Sequence, residues 1–168
     1  VSSCNTNDDN ISSSDNFDRK EILENTYDNI IMPAFIDLEN KLQSLQSNTI
    51  NFSNDASQNN LETLRKSWEH AYISWQSVAM FNIRKAEEIF FAEVMNTYPC
   101  NEDIIENNVQ DSIFEITSFS INNLGSTGFP AFGYLIYGLG GDSTNVLSYY
   151  NSSDCLLYTS DAADDTLC

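Results

Sequence analysis

The amino-acid sequence predicts an all-α fold, most simply an up-and-down helical bundle. Apolar residues recur at steps of three and four over long stretches of the chain, and this is the period of an amphipathic helix. The alternation of apolar and polar residues that is typical of a strand does not persist anywhere. With 168 residues, the chain is long enough for one domain.

The first predicted helix covers residues 19–47 and contains a kink. Pro33 lies inside it, and proline removes a backbone donor and crowds the preceding turn, so the helix bends or divides there. The residues that follow, 48–60, are rich in Asn and Ser and predict a loop. The apolar positions of the helix are Leu23, Tyr27, Ile30, Ile31, Ala34, Phe35, Leu38, Leu42 and Leu45.

The second predicted helix covers residues 57–81, and it continues or restarts over residues 84–95. In the later part, four residues are expected to point inward: Ala86, Ile89, Phe90 and Val94. Pro99 then ends the helical stretch, because the residue before a proline avoids helical backbone angles. The apolar stripe of the second helix consists of Leu61, Leu64, Trp68, Ala71, Tyr72, Trp75, Val78 and Ala79.

Shorter helices follow in the second half of the chain. One is predicted at residues 102–109, whereas residues 111–127 are compatible with either helix or loop. Pro130 suits a first helical turn and opens a helix that reaches Tyr137, after which glycines end it. A last helix is predicted at residues 143–150.

The N-terminal residues predict a lipid anchor. Val1-Ser-Ser-Cys4 resembles a bacterial lipobox, in which the cysteine is lipidated after signal cleavage, so Cys4 is the predicted lipidation site. Residues 1–16 together form a lipobox remnant and a polar, disordered tether. This pattern predicts a protein of the bacterial cell envelope, lipid-anchored to the outer membrane or facing the periplasm. The alternative is an ordinary disordered N-terminus with a chance cysteine.

The C-terminal residues have a different origin from the rest of the chain. Residues 155–165 match one reading frame of the transposase adaptor used in DNA library preparation, and residues 166–168 would then come from index and further adaptor bases. We expect them to be a non-native tail and exclude them from the fold prediction. The predicted helical domain is therefore residues 17–154, and we expect it to be incomplete.

Charge and cysteine content exclude several classes of protein. The net charge is −18, and no Lys or Arg follows Lys85, which disfavours a nucleic-acid partner. Once Cys4 and the tail are set aside, the cysteine that remains is Cys100, and the single histidine is His70. A disulfide framework and a zinc site built from Cys and His ligands are therefore excluded.

Several stretches, in this order along the chain, resemble motifs of the imelysin-like proteins. They are Tyr27–Phe35, the pair Trp68 and Trp75, Asn96–Pro99 and Gly128–Gly138. The resemblance implies a helical, lipid-anchored or periplasmic bacterial protein linked to iron uptake, in a family named after an insulin-cleaving metallopeptidase. Intact members have two helical bundles, so this chain is expected to hold most of the first. Residues 111–127 and the last helix are then expected to be poorly packed, because the partner bundle is absent.

The family's Gly-x-His-x-x-Glu motif is altered in this chain. Gly128 keeps the first glycine, but Pro130 stands at the His position and Gly133 at the Glu position. A His and a Glu three residues apart share one helix face and suit a metal ion, whereas proline and glycine offer no side-chain ligand. The altered motif therefore favours a protein that is not an enzyme.

Other residues remain as candidates for binding. Glu87 and Glu93 are candidate metal ligands, because carboxylates suit iron or calcium; the alternative is a solvated helix face. Trp68, Tyr72 and Trp75 are candidates for stacking on a porphyrin, although aromatic residues at helical spacing usually form core. His70 is expected to have a structural role.

Three functions remain open. The first is non-enzymatic binding by a membrane-anchored lipoprotein in iron or haem acquisition, with uptake components as partners. The second is a metallopeptidase whose metal ligands lie in a missing half. The third is a structural or interaction module. Binding of metal or haem separates the first from the third, and chelator-sensitive proteolysis is needed for the second.

Overall fold

A computed structural model of the chain describes residues 18–110, 121–139, 141 and 144–152. Every regular element in these residues is a helix and none is a strand, which confirms the all-α prediction. Within the same residues, no helix combines the length and the apolar character needed to cross a bilayer. Cys4, residues 111–120 and the tail at residues 155–168 lie outside the described part.

The predicted kink in the first helix is a π-helical turn. Helix α1, Arg19–Thr26, continues through the π-helical residues Tyr27–Ile31 into α2, Met32–Asn54. Pro33 lies in the first turn of α2, where the wider π turn before it accommodates the missing N–H donor. The Asp18 carboxylate caps α1 by accepting hydrogen bonds from the backbone N–H groups of the first turn.

Helix α2 is longer than its sequence predicts. The prediction of a loop at residues 48–60 is wrong for residues 48–54, because α2 runs to Asn54. Only residues 55–57 link α2 to the next helix. Phe52 is 5% exposed, and burial of such a side chain contributes about 2 kcal/mol. The Thr49 hydroxyl donates to the Leu45 carbonyl at 2.8 Å, so this polar side chain is accommodated within the helix.

Helix α3, Gln58–Val78, returns antiparallel to α2 and forms the main core with it. The Ser57 hydroxyl accepts from the Asn60 backbone N–H at the start of α3, as expected for a helix cap. Across the pair, Ser74 donates to the Asp37 carboxylate at 2.6 Å. The buried apolar residues of the two helices are Leu38, Leu45, Phe52, Leu61, Leu64, Ala71, Trp75 and Val78.

The N-terminal part of the first helix does not join this core. Leu23, Tyr27 and Ile30 follow the helical period but are exposed, with Leu23 exposed by 70%. Phe35 lies beside Phe81, near the end of the second helix, with ring centroids 6.4 Å apart. Residues further towards the N terminus therefore extend beyond α3, and their apolar period does not lead to burial.

The continuation of the second helix is broken into short pieces. A 3₁₀ turn, Ala79–Phe81, is followed by α4, Lys85–Glu88, and α5, Phe91–Asn96. Phe90 has a left-handed φ of 52°, which interrupts the helix between α4 and α5. Ile89 and Phe90 are about half exposed, so the expectation that they point inward is wrong.

The remaining helices are α6, Glu102–Gln110, a 3₁₀ turn, Ile121–Ser126, α7, Gly128–Tyr137, and α8, Val146–Tyr150. Helix α7 packs on α3, α8 packs on α7, and α6 packs against α7 and the 3₁₀ turn that precedes α7. The last helix is well packed, contrary to expectation: Val146 is fully buried and the Tyr150 ring lies 5.1 Å from that of Phe52. Helix α8 thus packs on the end of α2 through Tyr150.

Candidate functional site

Helix α7 carries the altered motif, and its first residue lies against the end of α5. Gly128 has a φ of +74°, a conformation that glycine adopts without the steric cost of a side chain. A Cβ atom at this position would overlap the backbone carbonyl groups of Val94 and Met95. The Thr127 hydroxyl donates to the Val94 carbonyl at 3.1 Å and holds the same junction. Gly128 is therefore required by a close contact between two backbones.

Pro130 lies in the first turn of α7, in agreement with the predicted helix start. The helix begins at Gly128, so Pro130 is its third residue. Backbone N–H groups in this turn have no acceptor within the helix, and proline therefore costs no hydrogen bond there. The residue at the family's His position accordingly serves the local helix geometry.

Gly133, at the family's Glu position, lies directly beneath the indole of Trp68. A Cβ atom built on Gly133 would be 2.9 Å from Cζ2 of that indole, which is closer than carbon atoms pack. The indole is held in place because its Nε1–H donates to the Phe129 carbonyl at 3.1 Å. The space beside the α7 backbone, where a glutamate side chain would begin, is therefore filled by an aromatic ring from α3.

The Trp68 indole belongs to an aromatic cluster between α3 and α7. Its ring centroid lies 5.4 Å from that of Tyr72 and 5.8 Å from that of Tyr137. Tyr72 in turn stacks on Phe129 at 5.0 Å. Arg65 lies over the Tyr137 ring at 4.5 Å and donates through Nε to the Ile136 carbonyl at 2.8 Å. These contacts make most of the cluster a packing interface between the two helices.

A polar cleft lies beside the aromatic cluster, between α6, α7 and α8. Its volume is about 490 Å³. The Tyr134 phenol donates to the Glu106 carboxylate at 2.5 Å across it. The residues that line the cleft are Glu102, Glu106, Gln110, Tyr134, Gly138, Gly141 and Tyr149. The Tyr134–Glu106 pair is not apparent from the sequence, because the two residues are 28 positions apart and belong to different helices.

Two side chains near this cleft hold their protons more strongly than usual. The hydrogen bond to Glu106 raises the pKa of Tyr134 above its ordinary value of 10.0, and burial adds to the effect. Burial, together with the nearby negative charge of Glu102, raises the pKa of the Cys100 thiol. Cys100 therefore remains a thiol near neutral pH, which is unfavourable for a nucleophile.

The other candidate residues from the sequence lie apart from the motif. Glu87 is on α4 and Glu93 on α5, and both are exposed, as is His70 on α3. Within the described residues, no three side chains of His, Cys, Asp and Glu lie close enough together to hold a metal ion.

Replacing Tyr134 by phenylalanine tests the bond across the cleft. We expect Tyr134→Phe to lower the free energy of unfolding at pH 8 by about 1–2 kcal/mol, at the lower end of the range for a hydrogen bond to a charged acceptor because both side chains are only partly buried. The folded-state pKa is raised, so this contribution is fully present below pH 10 and is lost as the pH rises from there. We expect the difference in the free energy of unfolding between wild type and Tyr134→Phe, measured by urea unfolding, to be smaller at pH 11 than at pH 8.

The control for this substitution is Tyr98→Phe, since the Tyr98 side chain is 85% exposed. We expect it to leave the free energy of unfolding unchanged at either pH. A difference between wild type and Tyr134→Phe that is constant with pH would contradict the assigned proton position.

A family model described as Imelysin matches residues 31–166 of the chain. The matched range begins at the last residue of the π-helical turn and includes α2 to α8. It also includes residues 155–166 of the expected tail. Comparisons with curated proteins and with solved structures gave no significant match.

Proposed function

The chain belongs to the imelysin family, and from this premise we propose that it is a membrane-anchored lipoprotein of the bacterial envelope that binds a ligand in iron or haem acquisition without catalysing a reaction. Membership alone does not distinguish binding from cleavage. The distinction rests on the residues at the motif positions of α7 and on the side chains that surround them.

The packing of Trp68 on Gly133 is the observation that carries the non-catalytic assignment. A catalytic metal needs protein ligands that hold the ion and leave one position open for water. Pro130 offers no ligand, and the approach to position 133 is filled by the indole, 2.9 Å from where a Cβ atom would lie. The altered motif is thus built into the packing of α7 on α3, and its surroundings favour a structural role for these positions.

The polar cleft supports the choice of ligand class. Glu102 and Glu106 contribute carboxylate oxygens, which hard cations prefer as ligands, and the Tyr134 phenol orients one of them by donating a hydrogen bond to Glu106. Beside it, Tyr137 is 39% exposed and offers part of an aromatic ring at the surface. Ferric iron or the iron and propionate-bearing ring of haem are the ligands to test first.

Titration of the purified chain with ferric citrate and with haemin tests the proposal. We expect saturable binding of at least one of them, followed by absorbance and calorimetry. Glu106→Gln is expected to weaken it about tenfold, since one charged ligand contact is removed. Glu93→Gln is the matched control: it removes an equally charged but exposed carboxylate from α5 and is expected to leave binding unchanged.

The outcomes separate the three functions. Loss of binding in Glu93→Gln but not in Glu106→Gln would count against the cleft and favour Glu93 as a ligand. No binding of either compound would favour a structural or interaction module. Cleavage of an insulin chain that stops on addition of a chelator would favour the metallopeptidase. Loss of membrane association in Cys4→Ser, assayed in a bacterial host that exports the protein with a signal segment, is expected if Cys4 is the anchor.

A further inference from the structure

A second cavity, distinct from the polar cleft, lies where α2 turns into α3. Its volume is about 330 Å³, and α7 and α8 close its sides. The floor is apolar and the rim is polar. The apolar lining residues are Phe52, Ala56, Leu64, Phe132, Leu135 and Ile136.

The cavity has the size of a small-molecule site. Its volume is roughly twice that of a 150 Å³ engineered cavity that holds benzene, and it reaches the lower limit of about 300 Å³ for natural ligand pockets. An apolar group of about two fused rings therefore fits. A buried steroid or a porphyrin is larger than this space.

The walls are held by contacts between different helices. Tyr150 on α8 packs edge-on against Phe52 and donates through its hydroxyl to the Leu135 carbonyl at 3.2 Å. Asn151 donates to the Ala56 carbonyl at 3.0 Å and joins α8 to the α2–α3 link. The cavity is thus formed by the fold before any ligand arrives, which lowers the ordering cost of binding.

The rim has a negative electrostatic character. Asp55 is the only charged residue among those that line the cavity, and its carboxylate accepts a hydrogen bond from the uncharged Asn60 amide at 2.9 Å. The negative C-terminal end of α2 and the positive N-terminal end of α3 both lie beside this rim, so their helix dipoles largely offset each other and the Asp55 carboxylate sets the charge of the rim. Arg65, on the neighbouring turn of α3, contacts the Ile136 carbonyl and the Tyr137 ring and does not line the cavity.

We propose that this cavity binds a small aromatic amine, with the apolar rings on the floor formed by Phe52, Leu64 and Ile136 and the ammonium group at the Asp55 rim. The site is separate from the polar cleft and from the motif positions, because it uses a neighbouring face of α7. It does not depend on iron, and its presence or absence is measured without any metal.

Two matched probes test the proposal on the purified chain. 1-Naphthylmethylamine carries an ammonium group and 1-naphthaleneacetate carries a carboxylate on the same ring and methylene. We expect the amine to bind at least about tenfold more tightly than the acid at low salt, because the Asp55 carboxylate attracts the ammonium group and repels the carboxylate of the probe. Ligand-observed NMR titration gives both dissociation constants, and Asp55→Asn is expected to reduce their ratio to about threefold or less.

Substitutions that fill the cavity test its location. Leu135→Trp and Ala56→Leu place added bulk in the cavity, and we expect each to weaken amine binding about tenfold or more. Ile36→Trp is the matched control, because Ile36 is 50% exposed on α2 and does not line the cavity. It is expected to leave the dissociation constant unchanged, and circular dichroism checks that each variant is folded.

Each possible outcome decides the proposal. Absence of saturable amine binding by the wild-type chain overturns it, as does equal binding of amine and acid. Unchanged binding in a folded cavity-filling variant overturns the location. If both filling variants fail to fold, the proposal is still supported or overturned by the ratio of the dissociation constants of the acid and the amine, measured for wild type and for Asp55→Asn.

Discussion

Replacing Gly128 by alanine is expected to lower the free energy of unfolding by about 3–5 kcal/mol. The left-handed backbone costs a non-glycine residue about 1–3 kcal/mol, and overpacking costs about 1–3 more. The overlap is with the carbonyl groups of Val94 and Met95, which are backbone atoms of α5 and cannot rotate away. Urea unfolding followed by circular dichroism measures the loss, which is a large part of the stability of a small domain.

Gly141→Ala is the matched control for this substitution. Gly141 also has a positive φ, +95°, but no atom lies within 4 Å of where its Cβ would be. We expect a loss of about 1–2 kcal/mol from the backbone conformation alone. The difference between the two variants therefore measures the contact between α7 and α5. Equal losses would show that this contact does not contribute, contrary to the structure.

Restoring the family motif is expected to destabilise the protein. We expect Gly133→Glu to lower the free energy of unfolding by about 3 kcal/mol or more, because the new side chain displaces the Trp68 indole and leaves a carboxylate buried. Adding Pro130→His completes the motif but is not expected to create a tight zinc site, since Gly133 is enclosed by the aromatic cluster. Urea unfolding and zinc calorimetry measure the two effects.

Two variants separate steric overlap from buried charge. Gly133→Ala introduces only the Cβ atom, and its higher helix propensity, about 1 kcal/mol, offsets part of the overlap. Trp68→Ala combined with Gly133→Glu removes the indole, and we expect the pair to be less destabilised than the sum of the single losses. If Gly133→Glu alone were as stable as wild type, the indole would be free to move and the position would be open to a ligand.

The comparison of α2 with α1 shows how far the helical period predicts burial. The same spacing of apolar residues runs through Leu23, Tyr27 and Ile30 and on to Leu38 and Leu45, but only the later residues are buried. Periodicity reports which face of a helix is apolar and not whether another element covers it. The end of α2 shows the converse, because the polar composition of residues 48–54 predicted a loop whereas burial of Phe52 extends the helix.

The candidate site likewise combines features that can be recognised from the sequence with features that only the structure reveals. The altered residues Pro130 and Gly133 are recognised from the sequence, because a motif is defined by neighbours within one turn. The reason why position 133 is a glycine cannot be recognised in this way, because the indole that lies over it belongs to the distant residue Trp68. That indole is held by a hydrogen bond to the Phe129 carbonyl, 61 residues further along the chain. Likewise, no local pattern connects Tyr134 with Glu106.

The sequence by itself determined the helical class, the positions of α3 and α7, the family resemblance and the loss of the motif's side-chain ligands. These properties depend on residues three or four positions apart, whose relation is set by the helix geometry. Only the tertiary structure decided which apolar faces are covered, why glycine is required at positions 128 and 133, and where a cavity remains between α2, α3, α7 and α8. Those properties arise from close packing between distant segments, which local periodicity does not specify.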